Sequence, residues 1–177
     1  MNVRRVILLL VTMVAAALAV PAAASAAVPA YCGITWGSGT KSAYPTASGE
    51  LVDIRAGQQD CYDRLVFDFT GNVNGFHVSY VDEMFEDPTA NPVPLRGGAK
   101  LSVTAFGPAY NEAGQPTYTY PNRAELVNVT GFRTFRQVAW AGSVEGSTTV
   151  GLGVRAQLPF RVLTLPNRVV VDVAHFW

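Results

Sequence analysis

"CYDRLVFDFTG" occupies residues 61–71, and "PNRVVVDVAHF" occupies residues 166–176. Both contain the pattern arginine, apolar, valine, apolar, aspartate. In the first copy Leu65, Phe67 and Phe69 alternate with Arg64, Val66 and Asp68; in the second Val169, Val171 and Val173 alternate with Arg168, Val170 and Asp172. Successive side chains of a strand point to opposite faces. Each copy therefore offers an apolar row to a core and an Arg/Asp row to the other side, in the same phase. Arginine and aspartate four residues apart lie ~13 Å from each other at the ~3.3 Å rise of a strand. They cannot pair within one strand, so their partners belong on a neighbouring strand. Two strands patterned alike are expected to hold equivalent places in a two-sheet sandwich.

The rest of the chain agrees with an all-β domain. It is rich in Val, Thr, Phe and Tyr, is broken often by Gly and Pro, and shows no sustained apolar period of 3.6 residues. Strands are predicted over 50–56, 62–70, 75–82, 99–106, 124–129, 133–141, 147–154, 160–165 and 168–174. Two long connections, 83–98 and 107–122, stand out, and connections of that length are often functional. "AGSVEGS" reads as a tight turn.

The first residues are not part of this pattern. Arg4 and Arg5 precede the uncharged run "VILLLVTMVAAALAV" and the small-residue segment "PAAASAA". That is the form of a secretory signal peptide over residues 1–26, with cleavage after Ala26 or one residue later. The apolar run is short for a span, which needs ~20 residues, so no stable membrane anchor is expected after cleavage. Residues 27–47 then form an N-terminal segment, and 48–177 a single domain, a two-sheet β-sandwich. Without Arg4 and Arg5 the chain has eleven basic against thirteen acidic residues. That slightly acidic balance, with no basic run, argues against nucleic acid and anionic membranes.

The two cysteines, Cys32 and Cys61, lie beyond the leader. In an oxidising compartment they are expected to form one disulfide that ties the N-terminal segment to the first strong strand. "VPAY" before Cys32 is no lipoprotein signal. A catalytic thiol would need a base, and His77 and His175 are the only histidines.

Other chemistry is poorly supported. No Gly-x-Ser-x-Gly elbow is present, and His77 and Ser79 would sit ~6.5–7 Å apart along one strand. Asp82, Glu83, Glu86 and Asp87 cluster without calcium-loop spacing and read as a solvated acidic loop. Asp68 and Asp172 are similar to a glycosidase pair only in being two carboxylates; each has an arginine in its own row, which suggests structural ion pairs. No catalytic residue, metal or cofactor is expected.

Binding is the better-supported class. Tyr31, Trp36, Tyr110, Tyr118 and Tyr120 lie in loop-like stretches of low charge. Such rings stack on sugar faces or peptide when exposed, and otherwise cap the edges of a core. Trp140 sits within a strand and reads as core. The candidate ligand-binding residues are Trp36, Tyr110, Tyr118, Tyr120, Arg64 and Arg168.

Taken in order, "LVDIRAGQQDCYDRLVFDFTGNVNGFHVSYVD", "VPLRGGAKLSV" and "GLGVRAQLPFRVLTLPNRVVVDVAH" resemble the AMIN-like domain family of secreted actinobacterial proteins, over residues 48–175. "YCGITWGS" near the start of the mature chain also resembles these proteins. The family is named for its similarity to the AMIN domain of cell-wall amidases and outer-membrane secretins, a two-sheet sandwich that targets peptidoglycan. Many relatives are lipoproteins, and this chain departs from them at Cys32. The resemblance implies a secreted, extracellular or cell-wall-associated binding module without catalysis. Its partner would be peptidoglycan or another cell-wall glycan, or alternatively an envelope protein.

Overall fold

The two repeated motifs lie side by side. In the computed structural model, which describes residues 30–177, Tyr62–Phe69 and Arg168–Ala174 are antiparallel neighbours. Nine strands are present among the described residues: β1 (Lys41–Ala43), β2 (Leu51–Gln58), β3 (Tyr62–Phe69), β4 (Phe76–Val81), β5 (Ala99–Ala105), β6 (Phe135–Val144), β7 (Ser147–Val154), β8 (Phe160–Leu165) and β9 (Arg168–Ala174). They form a four-stranded sheet in the order β2-β3-β9-β8 and a five-stranded sheet in the order β1-β4-β5-β7-β6, antiparallel throughout. The expected leader over 1–26 lies outside the described residues.

The alternation read in the sequence sets the core. Leu65, Phe67, Val169, Val171, Val173 and Phe160 of the first sheet are fully buried, as are Leu101, Val103, Val138, Val150, Leu152 and Val154 of the second. The two apolar faces pack against each other as one cluster, the arrangement a sandwich requires. β6 turns into β7 through Glu145 and Gly146, both at positive φ (50° and 79°). A two-residue hairpin with both central residues left-handed follows the twist of its strands.

At one end the sheets are joined by a polar knot inside the core. Asp63, 0% exposed, accepts hydrogen bonds from the backbone amides of Thr134 (2.5 Å) and Phe135 (3.0 Å), where β6 begins. Its other oxygen meets Nε2 of the buried His175 at 3.0 Å. A buried carboxylate is tolerated only when its lone pairs are filled in this way.

The motifs "PLRGG" and "GLGVR" turn out to be two halves of one contact. The connection 83–98 crosses the outer side of β7, with the Leu95 side chain against Gly151 and the Arg96 backbone against Gly153. Gly98 then donates its amide to the Val154 carbonyl at 2.9 Å. A Cβ at Gly153 would collide with the Arg96 carbonyl oxygen, and Gly97 has a φ of +119°. Glycine is required at both, for close approach and for conformation. Gln137 of β6 holds the same connection, accepting from the Arg96 amide (2.8 Å) and donating to the Ala124 carbonyl (2.9 Å).

Two expectations change. Residues 124–129 are not a strand. They run beside β6 with isolated bonds, Leu126 N to Val138 O (2.8 Å) and Trp140 N to Arg123 O (2.7 Å), and build no ladder. Leu126 and Val129 are buried in the core from a loop, which explains the strand-like apolar spacing. Conversely, β1 lies in the N-terminal segment, where no strand is predicted from the sequence. Its three residues carry no apolar pattern, and it forms only because the edge of β4 is open to it. The Cys32–Cys61 disulfide is formed. Its separation of 29 residues corresponds to about 3–4 kcal/mol in the chain-entropy treatment.

Candidate functional site

The outward face of the four-stranded sheet can be written as rows from its register. Arg64, Asp172 and Arg161 are aligned across β3, β9 and β8; Val66, Val170 and Leu163 follow; then Asp68, Arg168 and Leu165. Arg64 grips Asp172 through Nε (2.7 Å) and Nη2 (2.9 Å), and Arg161 Nε reaches the same carboxylate at 2.8 Å. Arg55 of β2 grips Asp68 through Nε (2.5 Å) and Nη2 (3.0 Å), and Arg168 Nε adds a bond of 2.9 Å. Each aspartate of the repeated motif thus sits between two arginines, one of them from the other copy. Burial opposes the ionised form of Asp68, but the hydrogen bonds from Arg55 and Arg168 outweigh it and hold the carboxyl below its ordinary range. Both carboxylates are taken up by arginine hydrogen bonds, which agrees with the ion-pair reading and not with a glycosidase pair.

The upper end of this face is aromatic. Trp36 and Tyr62 have ring centroids 5.9 Å apart. The Arg161 guanidinium lies 5.5 Å from the Trp36 ring and 5.1 Å from the Tyr62 ring, and Arg64 lies 5.2 Å from Tyr62. These are cation–π distances. Beyond Trp36 opens a groove of about 460 Å³ lined by Tyr31, Ile34, Trp36, Pro159 and Trp177. Trp177 is 75% exposed, and the exposed Phe176 stacks edge-on against Tyr31 at 5.9 Å.

Three ties fix the walls of the groove. The disulfide anchors the 30–37 segment next to Tyr62. Phe160 at the start of β8 donates its amide to the Gly37 carbonyl at 3.0 Å, and Lys41 Nζ donates to the same oxygen at 2.8 Å. His175 donates its amide to the Cys61 carbonyl at 2.9 Å, which holds the chain that leads to Phe176 and Trp177. The Trp36 indole N–H donates to the Tyr31 carbonyl at 2.8 Å, which sets the ring's orientation. An apolar groove with rings presented edge and face, and guanidinium donors at its rim, can take a sugar or a short peptide.

The candidate residues named from the sequence are distributed over three places. Trp36 and Arg64 come together through Tyr62 and Arg161. Arg168 lies on the same face, two rows further along. Tyr118 and Tyr120 do not join them. They pack on Trp140, with centroids 6.0 and 4.9 Å from it. Tyr118 is 9% exposed, and burial, with smaller contributions from Asp53 and Tyr120, pushes its phenol up to about 12. Tyr120 is half-buried; Trp140, on which it packs, lines a smaller groove in which Arg123 pairs with Glu86. Tyr110 braces the β6–β7 turn, its hydroxyl accepting from the Gly146 amide at 3.2 Å.

Tyr62, Arg161, Arg55 and Trp177 were missed by sequence reasoning. Tyr62 was legible, because it shares the phase of Arg64, two residues on. Arg161 was legible too: the strands predicted over 160–165 and 168–174 leave a two-residue turn, which pairs Leu165 with Arg168 and so Arg161 with Asp172. Among the described residues no group of three or more His, Cys, Asp or Glu is placed to hold a metal ion, and neither cysteine is free. Among the same residues no helix is long and apolar enough to cross a membrane.

No curated protein and no solved structure matches the chain. A model of the AMIN-like domain matches residues 49–175, from just before β2 to the end of the sandwich, and includes both repeated motifs and both glycine motifs. The strands, the glycine contact and this match agree: the chain belongs to the AMIN-like domain family, whose domain is a binding-type module associated with the cell envelope.

Proposed function

We propose that this protein is a secreted, non-catalytic module that binds peptidoglycan or another cell-wall glycan, and that Trp36 and Trp177 supply the contact, with Arg161 and Arg64 at the rim. The observation that carries this reading is the groove between Tyr31, Trp36 and Trp177, with the Arg161 guanidinium over the Trp36 ring that lines it. Sugars present apolar C–H faces to such rings and hydroxyls to such donors. Family membership supports an envelope setting, and the signal-peptide pattern and the disulfide support export.

The test is co-sedimentation of the purified, disulfide-intact protein with insoluble peptidoglycan, beside chitin and cellulose. Saturable binding to peptidoglycan that drops at least about fivefold in Trp36→Ala and Trp177→Ala supports the reading. Folded protein that stays in the supernatant overturns it.

A further inference from the structure

The geometry points to the Arg/Asp face as a second binding surface, one that takes an extended polycarboxylate. The two triads have the same construction. In each, one arginine already satisfies the aspartate with a two-point fork: Arg64 on Asp172, and Arg55 on Asp68. The second arginine adds only its Nε, Arg161 to Asp172 and Arg168 to Asp68. Among the described residues the Nη groups of Arg161 and Arg168 have no hydrogen-bond partner. Neither is needed to neutralise its aspartate, so each triad has one positive charge in excess.

That excess is directed outward. Asp172 is 0% exposed and Asp68 is 19% exposed, whereas Arg55 and Arg168 are about half exposed and Arg64 and Arg161 about a quarter exposed. Carboxylate is therefore screened and guanidinium presented. Four of the eleven basic residues beyond the leader lie on this one face, although the chain there is acidic overall. One exposed carboxylate opposes them: Asp53, beside Asp68 on the far strand β2, where its field acts on Arg55. The field is thus most positive toward β8 and β9, where Arg161 and Arg168 stand. Their rows are ~13 Å apart at the strand rise, with Val66 and Val170 between them. A guanidinium's parallel N–H donors match a carboxylate; this face already holds two carboxylates by Nε–Nη2 forks, and the free Nη pairs of Arg161 and Arg168 offer a fork of the same kind. An extended chain bearing carboxylates can engage both rows at once.

The surface shares Arg161 with the rim of the aromatic groove but does not depend on glycan binding there. The test titrates labelled poly-L-glutamate, with inorganic polyphosphate as the second arm, onto the purified protein at low and high salt. The R161Q/R168Q double variant is the informative one. Asp172 keeps Arg64 and Asp68 keeps Arg55, so the fold is retained, as thermal melting will verify. Wild-type protein is expected to bind poly-L-glutamate and to lose affinity with salt, and the double variant to bind about tenfold more weakly. Arg133→Gln, which removes an exposed charge elsewhere, is expected to change affinity by less than about twofold. Protein that binds poly-L-glutamate but does not sediment with peptidoglycan keeps this surface and overturns the groove reading alone, so the two can fail separately. No binding of poly-L-glutamate at low salt, an unaffected double variant, an equal loss in Arg133→Gln, or binding of polyphosphate alone would each overturn the proposal.

Discussion

Arg64 and Asp172 stand directly opposite each other in the β3–β9 register and are joined by two hydrogen bonds, 2.7 and 2.9 Å long, although 108 residues separate them. Asp68 and Arg168 are the reciprocal pair. The two copies of the motif run antiparallel, so arginine of one meets aspartate of the other at both ends.

The two aspartates are not equivalent, and substitution will separate them. Asp172 is 0% exposed and holds Arg64 and Arg161, both mostly buried. Asp172→Asn leaves two guanidiniums against a neutral amide inside the sheet face and is expected to cost about 2–4 kcal/mol. Asp68→Asn faces half-exposed arginines that water can solvate, and is expected to cost about 1 kcal/mol. Urea denaturation of the two variants gives the ranking; an equal or reversed cost would contradict the burial argument.

Acid should weaken the fold partly through Asp68. Its carboxyl titrates lower in the folded protein than in the unfolded chain. Its contribution is therefore complete above the unfolded value of ~4 and is lost as pH falls through the folded value. Asp68→Asn should lower stability at pH 7 and make the decline below pH ~4 shallower. Urea midpoints measured from neutral to acid pH check both slopes.

Alkali should act through Tyr118. Its phenol is pushed up to about 12 by burial against Trp140 and Tyr120. The stabilisation is complete below the unfolded value of ~10 and is lost as pH rises toward the folded one. Phenolate absorbance should show late-ionising tyrosines, Tyr118 and the partly buried Tyr80, and Tyr118→Phe should remove one of them and leave the other. A titration curve unchanged by that substitution would count against the buried placement.

Gly153→Ala tests the contact that unites the two glycine motifs. The new methyl group meets the Arg96 carbonyl, which is backbone and cannot swing aside. A loss of about 2–3 kcal/mol is expected, as for overpacking elsewhere. Gly114→Ala, at a positive φ of 74° but in open space, should cost less, about 1 kcal/mol. Melting temperatures of the pair distinguish steric collision from backbone strain.

Much of the fold was legible because its signals are local. Period-two alternation marked β3 and β9, glycine and proline marked the breaks, and two cysteines beyond a leader pattern implied the disulfide. The misread stretch at 124–129 shows the limit of that signal. Leu126 and Val129 are spaced as in a strand because both reach the core, and burial leaves the same trace whether or not a ladder forms. β1 shows the converse: a strand that owes its existence to a neighbour's free edge carries no pattern of its own.

The candidate site was legible only in pieces. Trp36 and Arg64 were identified as separate residues, 28 positions apart, and Tyr118 and Tyr120 were grouped with Trp36 because all three lay in loop-like sequence. Stacking on Trp140 removes Tyr118 to the core edge, and no property of its neighbours in sequence distinguishes that outcome from exposure.

By itself the sequence determined which side of each strand is apolar, that the domain is a sandwich, and that arginine and aspartate share the outer side. Alternation follows from backbone geometry within a single strand. Only the tertiary structure decided that the two motifs pair with each other, and that residues 30–37 and Trp177 build one aromatic groove. Those are matters of strand order and register between segments more than a hundred residues apart, where closure of the whole core, and not local conformation, selects the neighbour.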